Sequence, residues 1–176
     1  MSQFNFAKAT PGEFLLPPRR RYVAVTLGAA FILNLAPLPE VLQLIRPDLV
    51  ALTLLYWAIA HTRKLGLFPA WLLGLFMDVA DGTLFGQHAL AYSVLIFLAI
   101  FFRRRVLMFG MRYQMLHVLA MLLAAQLAML LVRSMAGAEF PGLWYFVGSF
   151  LGAALWPVVL VVVTVPLRPK VDPNAV

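Results

Sequence analysis

Residues 74–86 read GLFMDVADGTLFG, and this stretch shows how the chain forms a helix, turns and starts again. An apolar run carries Gly74 and Asp78 four residues apart and then meets an Asp-Gly pair. If the helix continues to about Ala80, Gly74 and Asp78 share one face, and Gly82 begins a turn toward the next apolar run. Glycines at these positions allow close backbone approach or an unusual φ. The stretch therefore predicts two apolar helices joined by a tight polar turn.

The composition around this stretch is that of a membrane protein. Of the 176 residues, 63% are hydrophobic and only 12% are charged, which is too little polar surface to coat a soluble globule of this size. No stretch is long and polar enough to form a separate soluble domain. We predict an all-α polytopic membrane protein with one membrane domain at residues 22–166. Residues 1–21 and 167–176 would then be cytoplasmic tails.

Hydropathy divides the membrane domain into six candidate spans. Their approximate limits are 22–38, 49–61, 65–80, 84–102, 113–132 and 143–165. The second and third spans reach only about 20 to 24 Å, short of a hydrocarbon core of about 30 Å. We therefore expect these two to be flanked by protein or extended at their ends.

The positive charges assign an orientation to the six-span bundle, because cytoplasmic loops retain Lys and Arg during insertion. Twelve of the fourteen Lys and Arg residues fall on one side, and only Arg46 and Arg133 fall on the other. The first side has a net charge of +10 and the second of −3. We predict a multi-pass membrane protein with both termini cytoplasmic. Basic clusters in this arrangement indicate topology and not nucleic-acid binding.

Asp78 and Asp81 admit more than one interpretation. They can cap the inter-helical turn and face external water, or form a packed or partner-facing polar contact. The letters DVADG also resemble the opening of the metal-binding motif of CDP-alcohol phosphatidyltransferases. That resemblance stops there, because Thr83 and Leu84 replace the expected Ala-Arg and no later D-x-x-x-D pair follows. We predict no metal site.

Other patterns of catalysis are absent from the sequence. His61, His88 and His117 lie in different segments, and none pairs with a carboxylate at metal-ligand or triad spacing, so interfacial positions are expected for them. There is no cysteine, Gly-rich phosphate loop, nucleophile elbow or H-E-x-x-H. We predict a protein that is not an enzyme and that has no catalytic, cofactor-binding or metal-binding residues.

Small and polar residues within the spans predict helix packing. Gly148 and Gly152 form G-x-x-x-G in the sixth span, with Ser149 adjacent, which offers a flat face for close approach. Packing within this chain is favoured over contact with another protein. Asn34 and Gln126 are better interpreted as interhelical hydrogen-bonding groups than as transport ligands.

The chain carries R-P-D at residues 46–48, followed by an apolar run to Y-W at residues 56–57, and then the glycine-aspartate stretch of residues 74–90. Together these two segments resemble the MreD family of rod shape-determining proteins. The family pattern is R-P-D, an apolar run to Y-W, then G-L-x-x-D-x-x-x-G-x-x-x-G-x-x-A-L. The present chain matches this order and spacing over residues 46–90, about a quarter of its length. The matching positions that we single out are Arg46, Pro47, Asp48, Tyr56, Trp57, Gly74, Asp78, Gly82 and Gly86, to which we add Asp81.

The resemblance implies a non-enzymatic scaffold of the bacterial cell-elongation complex, located in the bacterial inner membrane. Such a protein would maintain rod shape by binding MreC, which is membrane-anchored. It would help to couple MreB filaments, directly or through MreC, to peptidoglycan synthesis by the elongation glycosyltransferase and transpeptidase.

A second function stays open, because MreD-like proteins are similar in size and helix number to the substrate-binding subunits of energy-coupling-factor transporters. A small-molecule-binding subunit requires polar groups that converge at one depth in the membrane. Asn34, Gln126 and Asp78 are the candidates for such a site.

Physical chemistry gives each motif residue a role. Pro47 favours an extended approach, and Asp48 can cap the second helix at its positive end. Arg46 can pair with Asp48, Asp78 or Asp81, which would form a polar cluster at the outer face.

Tyr56 and Trp57 are expected toward the inner half of the second span. The simplest interpretation of such a pair is an aromatic belt at the membrane–water interface. A role in binding a partner is the alternative.

Overall fold

A computed structural model describes residues 19–37, 39, 43, 45–61 and 65–167. Six α-helices and no strand occur in this part of the chain, so the prediction of an all-helical fold is confirmed. Most of the two predicted tails lies outside the described residues. The helices are α1 (Arg20–Asn34), α2 (Leu49–Ala60), α3 (Leu67–Ala80), α4 (Gln87–Met108), α5 (Met111–Met135) and α6 (Val147–Thr164).

Most helix limits follow the predicted spans closely, but α4 extends beyond its predicted end at residue 102. The helix continues through Arg103, Arg104 and Arg105 to Met108. The Arg103 Nε donates a hydrogen bond of 2.6 Å to the carbonyl oxygen of Ile59, in the last turn of α2. A basic side chain near a helix C-terminus satisfies a free carbonyl there, so Arg103 joins α4 to the end of α2.

Helix α2 lies at the centre of the bundle. It packs against α1, α4 and α6, and its residues from Val50 to Ile59 are all buried. Burial of consecutive residues on every side shows that protein surrounds this helix, which agrees with its apolar sequence. Its length is about 18 Å, and the expectation that this short span is flanked by protein is confirmed.

Helix α3 does not follow the same expectation. It buries only Ala70, Gly74, Met77 and Asp78, and it packs mainly against α4. The remaining helices pack in chain order, α4 on α5 and α5 on α6. Neither predicted alternative holds for α3, because one narrow face makes its main packing contact and the helix is not extended beyond the predicted span.

The contact between α3 and α4 depends on Gly74. A Cβ atom added there would lie 2.5 Å from the Ala89 Cα and 2.7 Å from the His88 carbonyl carbon. The turn that follows uses two glycines with positive φ, Gly82 at +62° and Gly86 at +98°. Both conformations strain other residues. Gly74 therefore sets how closely α3 and α4 approach, and Gly82 and Gly86 allow the tight turn between them.

Among the described residues, two helical segments are long and apolar enough to cross a membrane, Met111–Met135 and Leu143–Leu167. The second consists of α6 with a short 3-10 turn at each end. Helices α2 and α3 are apolar but shorter. Large apolar side chains are exposed on the outer surface of the bundle, among them Phe97, Phe101 and Leu131, as expected of helices that contact lipid.

The interpretation of Tyr56 and Trp57 as interfacial belt residues is wrong. Both side chains are buried in the core, at 1% and 0% exposure. The Trp57 Nε1 donates to the Thr26 Oγ1 at 3.0 Å, and the Tyr56 hydroxyl bonds the Thr164 Oγ1 at 3.1 Å. Because α2 is surrounded by other helices, its aromatic residues find polar partners inside the protein.

Candidate functional site

Polar side chains from five segments meet at one end of the bundle. The segments are the end of α1, the start of α2, the turn between α3 and α4, the end of α5 and the start of α6. Between them lies a partly open cavity of about 450 Å³, which we call the end cavity. Its polar lining comprises Asn34, Gln43, Arg46, Asp48, Asp81, Thr83, Gln87, His88, Gln126, Arg133, Tyr145 and Ser149. This is the end that the charge distribution predicts to be external.

Asp48 fixes the first wall of the end cavity. Its Oδ1 accepts hydrogen bonds from the Ala51 backbone N–H at 2.9 Å and from the Asn34 Nδ2 at 3.1 Å. Its Oδ2 accepts from the Tyr92 hydroxyl at 2.8 Å. The predicted helix cap is confirmed, and it also joins α1, α2 and α4. In return, the Asn34 Oδ1 accepts from the Leu49 N–H at 3.1 Å.

Asp78 fixes the opposite wall, although it does not reach water as the simplest interpretation expects. It is 1% exposed. Its Oδ1 accepts from the His88 N–H at 2.7 Å and from the Thr83 hydroxyl at 3.2 Å, and its Oδ2 accepts from the Gly86 N–H at 2.8 Å. One carboxylate therefore closes the turn between α3 and α4 and caps the first turn of α4.

His88 pairs with a carboxylate, a contact that the spacing in the sequence did not predict. Its Nδ1 lies 2.8 Å from the Asp78 Oδ1, and its Nε2 lies 4.0 Å from the Asp81 Oδ2. With Asp78 ionised, the Nδ1–H is the donor of the shorter contact. The ten-residue separation gives no helical or triad signal, because only the reversal of the chain at Gly82 and Gly86 brings the two side chains together.

Asp81 and Arg46 both line the end cavity, but they do not form the predicted ion pair. Among the described residues, Arg46 has no carboxylate oxygen within 4 Å, and its Nη1 donates to the Ala36 carbonyl oxygen at 3.3 Å. Partial burial raises the pKa of the Asp81 carboxyl, and the charges of His88 and Arg46 act in the opposite direction. The arginine thus acts on Asp81 through space and not through a direct contact.

Gln126 joins α5 to the start of α6. Its Nε2 donates to the Tyr145 carbonyl oxygen at 2.9 Å, and its Oε1 accepts from the Ser149 hydroxyl at 2.6 Å. The expectation that this glutamine bonds between helices is confirmed. Beside it, a Cβ on Gly148 would lie 2.7 Å from the Arg46 carbonyl oxygen. The glycine therefore allows α6 to approach the backbone that carries Arg46.

Arg133 is the functional candidate that the sequence reasoning did not single out. It lines the end cavity from the last turn of α5. Its Nε is buried and has no hydrogen-bond partner in the described part of the chain. The only signal in the sequence is that Arg133 is one of two basic residues on the acidic side of the predicted membrane topology.

The residues predicted from the sequence separate by position. The members that line the end cavity are Arg46, Pro47, Asp48, Asp81 and Gly148. Asp78 lies behind this lining and reaches it through His88, and the turn beside it contains Gly82 and Gly86. The members that pack in the interior are Tyr56, Trp57, Gly74 and Gly152. Within the described ranges, no three His, Asp or Glu side chains form a metal-binding group.

Comparison with known proteins gives two matches of the same kind. A family model described as the rod shape-determining protein MreD matches residues 20–169. The rod shape-determining protein MreD of Haemophilus influenzae is 30% identical over 128 residues, which cover 73% of this chain and 79% of that protein. A search of solved structures gives no significant match.

Proposed function

The chain belongs to the rod shape-determining MreD family, and from this premise we propose that it is a non-enzymatic scaffold that holds partners of the cell-elongation complex at the inner membrane. The family membership assigns it a role in determining rod shape. The proposed partners are MreC, MreB directly or through MreC, and the glycosyltransferase and transpeptidase of elongation. In this role the protein positions other proteins and carries out no chemistry of its own.

The proposed topology has six membrane crossings and two cytoplasmic termini. Two lines of argument support it: six helices within the described residues, and the concentration of basic residues on one side. Helix α2 can span despite its length because protein surrounds it. In this orientation the end cavity faces the periplasm, where the membrane-proximal part of MreC would meet it.

The observation that carries the proposed function is the convergence of both halves of the family motif on one cavity. Arg46, Pro47 and Asp48 come from the approach to α2, and Asp78 and Asp81 come from the end of α3. The first half lines one wall, and the second half forms and supports the other. Hydrogen bonds to Asp48 and Asp78 hold both walls in place. Rigid walls built from several helices suit a docking site for a protein segment.

Filling the end cavity tests this proposal. Ala125 lines the cavity and is 3% exposed, so Ala125→Phe should occupy the space that the partner needs. The matched control is Ala120→Phe, on an exposed position of the same helix. We expect recovery of co-expressed MreC with the tagged protein to fall by about tenfold or more for Ala125→Phe only, equivalent to about 1.4 kcal/mol of binding.

Size-exclusion chromatography in detergent serves as the check on folding for both variants. A monodisperse Ala125→Phe protein that retains as much MreC as the wild type would exclude the end cavity as the docking site.

A second candidate function, a small-molecule-binding subunit of a transporter, has one specific observation in its favour. Asn34 and Gln126 line the same cavity, whose volume of about 450 Å³ lies within the range of small-ligand pockets, roughly 300 to 1,000 Å³. Their polar groups are already bonded to Asp48, Leu49, Tyr145 and Ser149, so they serve as wall supports. Vitamin binding by the purified protein, with an ATPase module recovered in place of MreC, would favour this second function.

A further inference from the structure

Arg133 is the least compensated charge of the end cavity. Its Nε is buried without a hydrogen-bond partner among the described residues, and no carboxylate oxygen in that part of the chain lies within 4 Å of its guanidinium. A buried donor that has lost water and gained no acceptor is unfavourable, and more so when it is charged. The side chain therefore has unused capacity for an acceptor from outside the described chain.

The acidic groups of the cavity are engaged elsewhere. Both oxygens of Asp48 and both oxygens of Asp78 accept hydrogen bonds from their own walls. Asp81 lies next to the His88 ring and in the field of Arg46. None of these carboxylates reaches Arg133.

We infer that the segment of MreC that enters the end cavity carries an Asp or Glu side chain whose carboxylate pairs with Arg133. This inference rests on the proposed function, because that function supplies a polypeptide as the occupant. The planar guanidinium matches a carboxylate with two parallel hydrogen bonds, which lysine cannot reproduce. Arg46, which also lines the cavity and has no ion pair among the described residues, strengthens the attraction for an anionic group.

The test combines neutral and reversed charges at Arg133 with charge reversals in MreC. Arg133→Gln should lower recovery of co-expressed MreC by about tenfold, and Arg133→Lys should recover only part of the loss. The matched control, Arg112→Gln, removes an exposed arginine at the opposite end of the bundle and should change nothing. Arg133→Glu is then paired with each membrane-proximal Asp or Glu of MreC replaced by Arg. We expect one such pairing to restore binding.

Stability separates a binding role for Arg133 from a structural one. Because its Nε has no partner in the described chain, the isolated Arg133→Gln protein should have an apparent Tm equal to or above that of the wild type. A lower Tm for Arg133→Gln would overturn the inference, since the arginine would then support the fold itself.

The remaining outcomes distinguish failure of the inference about Arg133 from failure of the proposed function. If Ala125→Phe releases MreC and Arg133→Gln retains it, the inference fails while the proposed function stands. If even the wild-type protein fails to retain MreC, the proposed function fails. If no MreC reversal restores binding, and Arg133→Gln protein carries less bound phospholipid phosphorus than the wild type, the anion is a lipid phosphate and the inference is overturned.

Discussion

Replacement of Gly74 by alanine should destabilise the bundle, whereas the same replacement at Gly28 should stabilise it. Both glycines lie inside helices, Gly74 in α3 and Gly28 in α1. A Cβ on Gly74 would lie 2.5 Å from the Ala89 Cα and 2.6 Å from the Ala89 nitrogen, whereas a Cβ on Gly28 would meet nothing within 4 Å. The two substitutions therefore add the same methyl group, at Gly74 against the backbone of a neighbouring helix and at Gly28 into open space.

The magnitude follows from the neighbours of the added atom. All three close neighbours of Gly74 are backbone atoms, so no rotamer change relieves the clash, and the helices must separate by about 1 Å to reach an ordinary contact of 3.4 Å. Overpacking of this kind costs about 1 to 3 kcal/mol. The gain in helix propensity offsets about 0.5 to 1 kcal/mol of that at Gly74 and is the whole effect at Gly28.

Unfolding of the purified proteins in mild detergent, followed by heating or by titration with SDS, measures both effects. We expect Gly74→Ala to unfold before the wild type and Gly28→Ala after it. Separation of α3 from α4 would also displace His88, so MreC recovery should fall for Gly74→Ala alone. A Gly74→Ala protein as stable as the wild type, or more stable, would refute the reasoning. It would mean that α3 and α4 can separate without lowering the free energy of unfolding.

Two further predictions concern the carboxylates of the α3–α4 turn. Asp78→Asn exchanges one acceptor oxygen for an NH2 donor, which then faces the backbone N–H of either Gly86 or His88. One unpaired buried donor should cost about 1 to 3 kcal/mol, and an unchanged apparent Tm would contradict this. Burial raises the pKa of Asp81 above its ordinary value of 3.8, so the ionised carboxylate destabilises the folded protein. The stability of the wild type should therefore rise relative to that of Asp81→Asn as the pH falls through the raised pKa. Thermal unfolding between pH 4 and 7 checks this, and a parallel response of the two proteins would contradict it.

The sequence predicted those features of the fold that depend on local pattern. Apolar runs predicted the approximate limits of the helices in the described residues, and the spacing of Gly74 and Asp78 predicted that they share one face. Asp48 was recognisable as a cap because an acidic side chain before an apolar run has a local role. The interhelical bonding of Asn34 and Gln126 could be predicted because a polar amide within an apolar helix needs a partner.

The features that the sequence did not predict depend on which helices become neighbours. Tyr56 and Trp57 have the composition of an interfacial pair, and only the central position of α2 places them in the core. His88 pairs with Asp78 across a turn whose geometry is set by two glycines with positive φ. Arg46 lies near three carboxylates along the predicted face, yet it makes no ion pair with any of them.

These contacts assign different tasks to the family motif and to the residues around it. The carboxylates of the motif, Asp48 and Asp78, bond to backbone and side-chain donors of their own chain, so they shape the end cavity and leave little capacity for an occupant. The groups that retain such capacity are Arg46, which is the basic residue of the motif, and Arg133, which lies outside the motif. If this division holds, Asp78→Asn should weaken MreC binding only as far as it loosens the fold, whereas Arg133→Gln should weaken binding with the fold intact. The ratio of lost binding to lost stability in these two variants therefore separates the residues that form the cavity from those that bind its occupant.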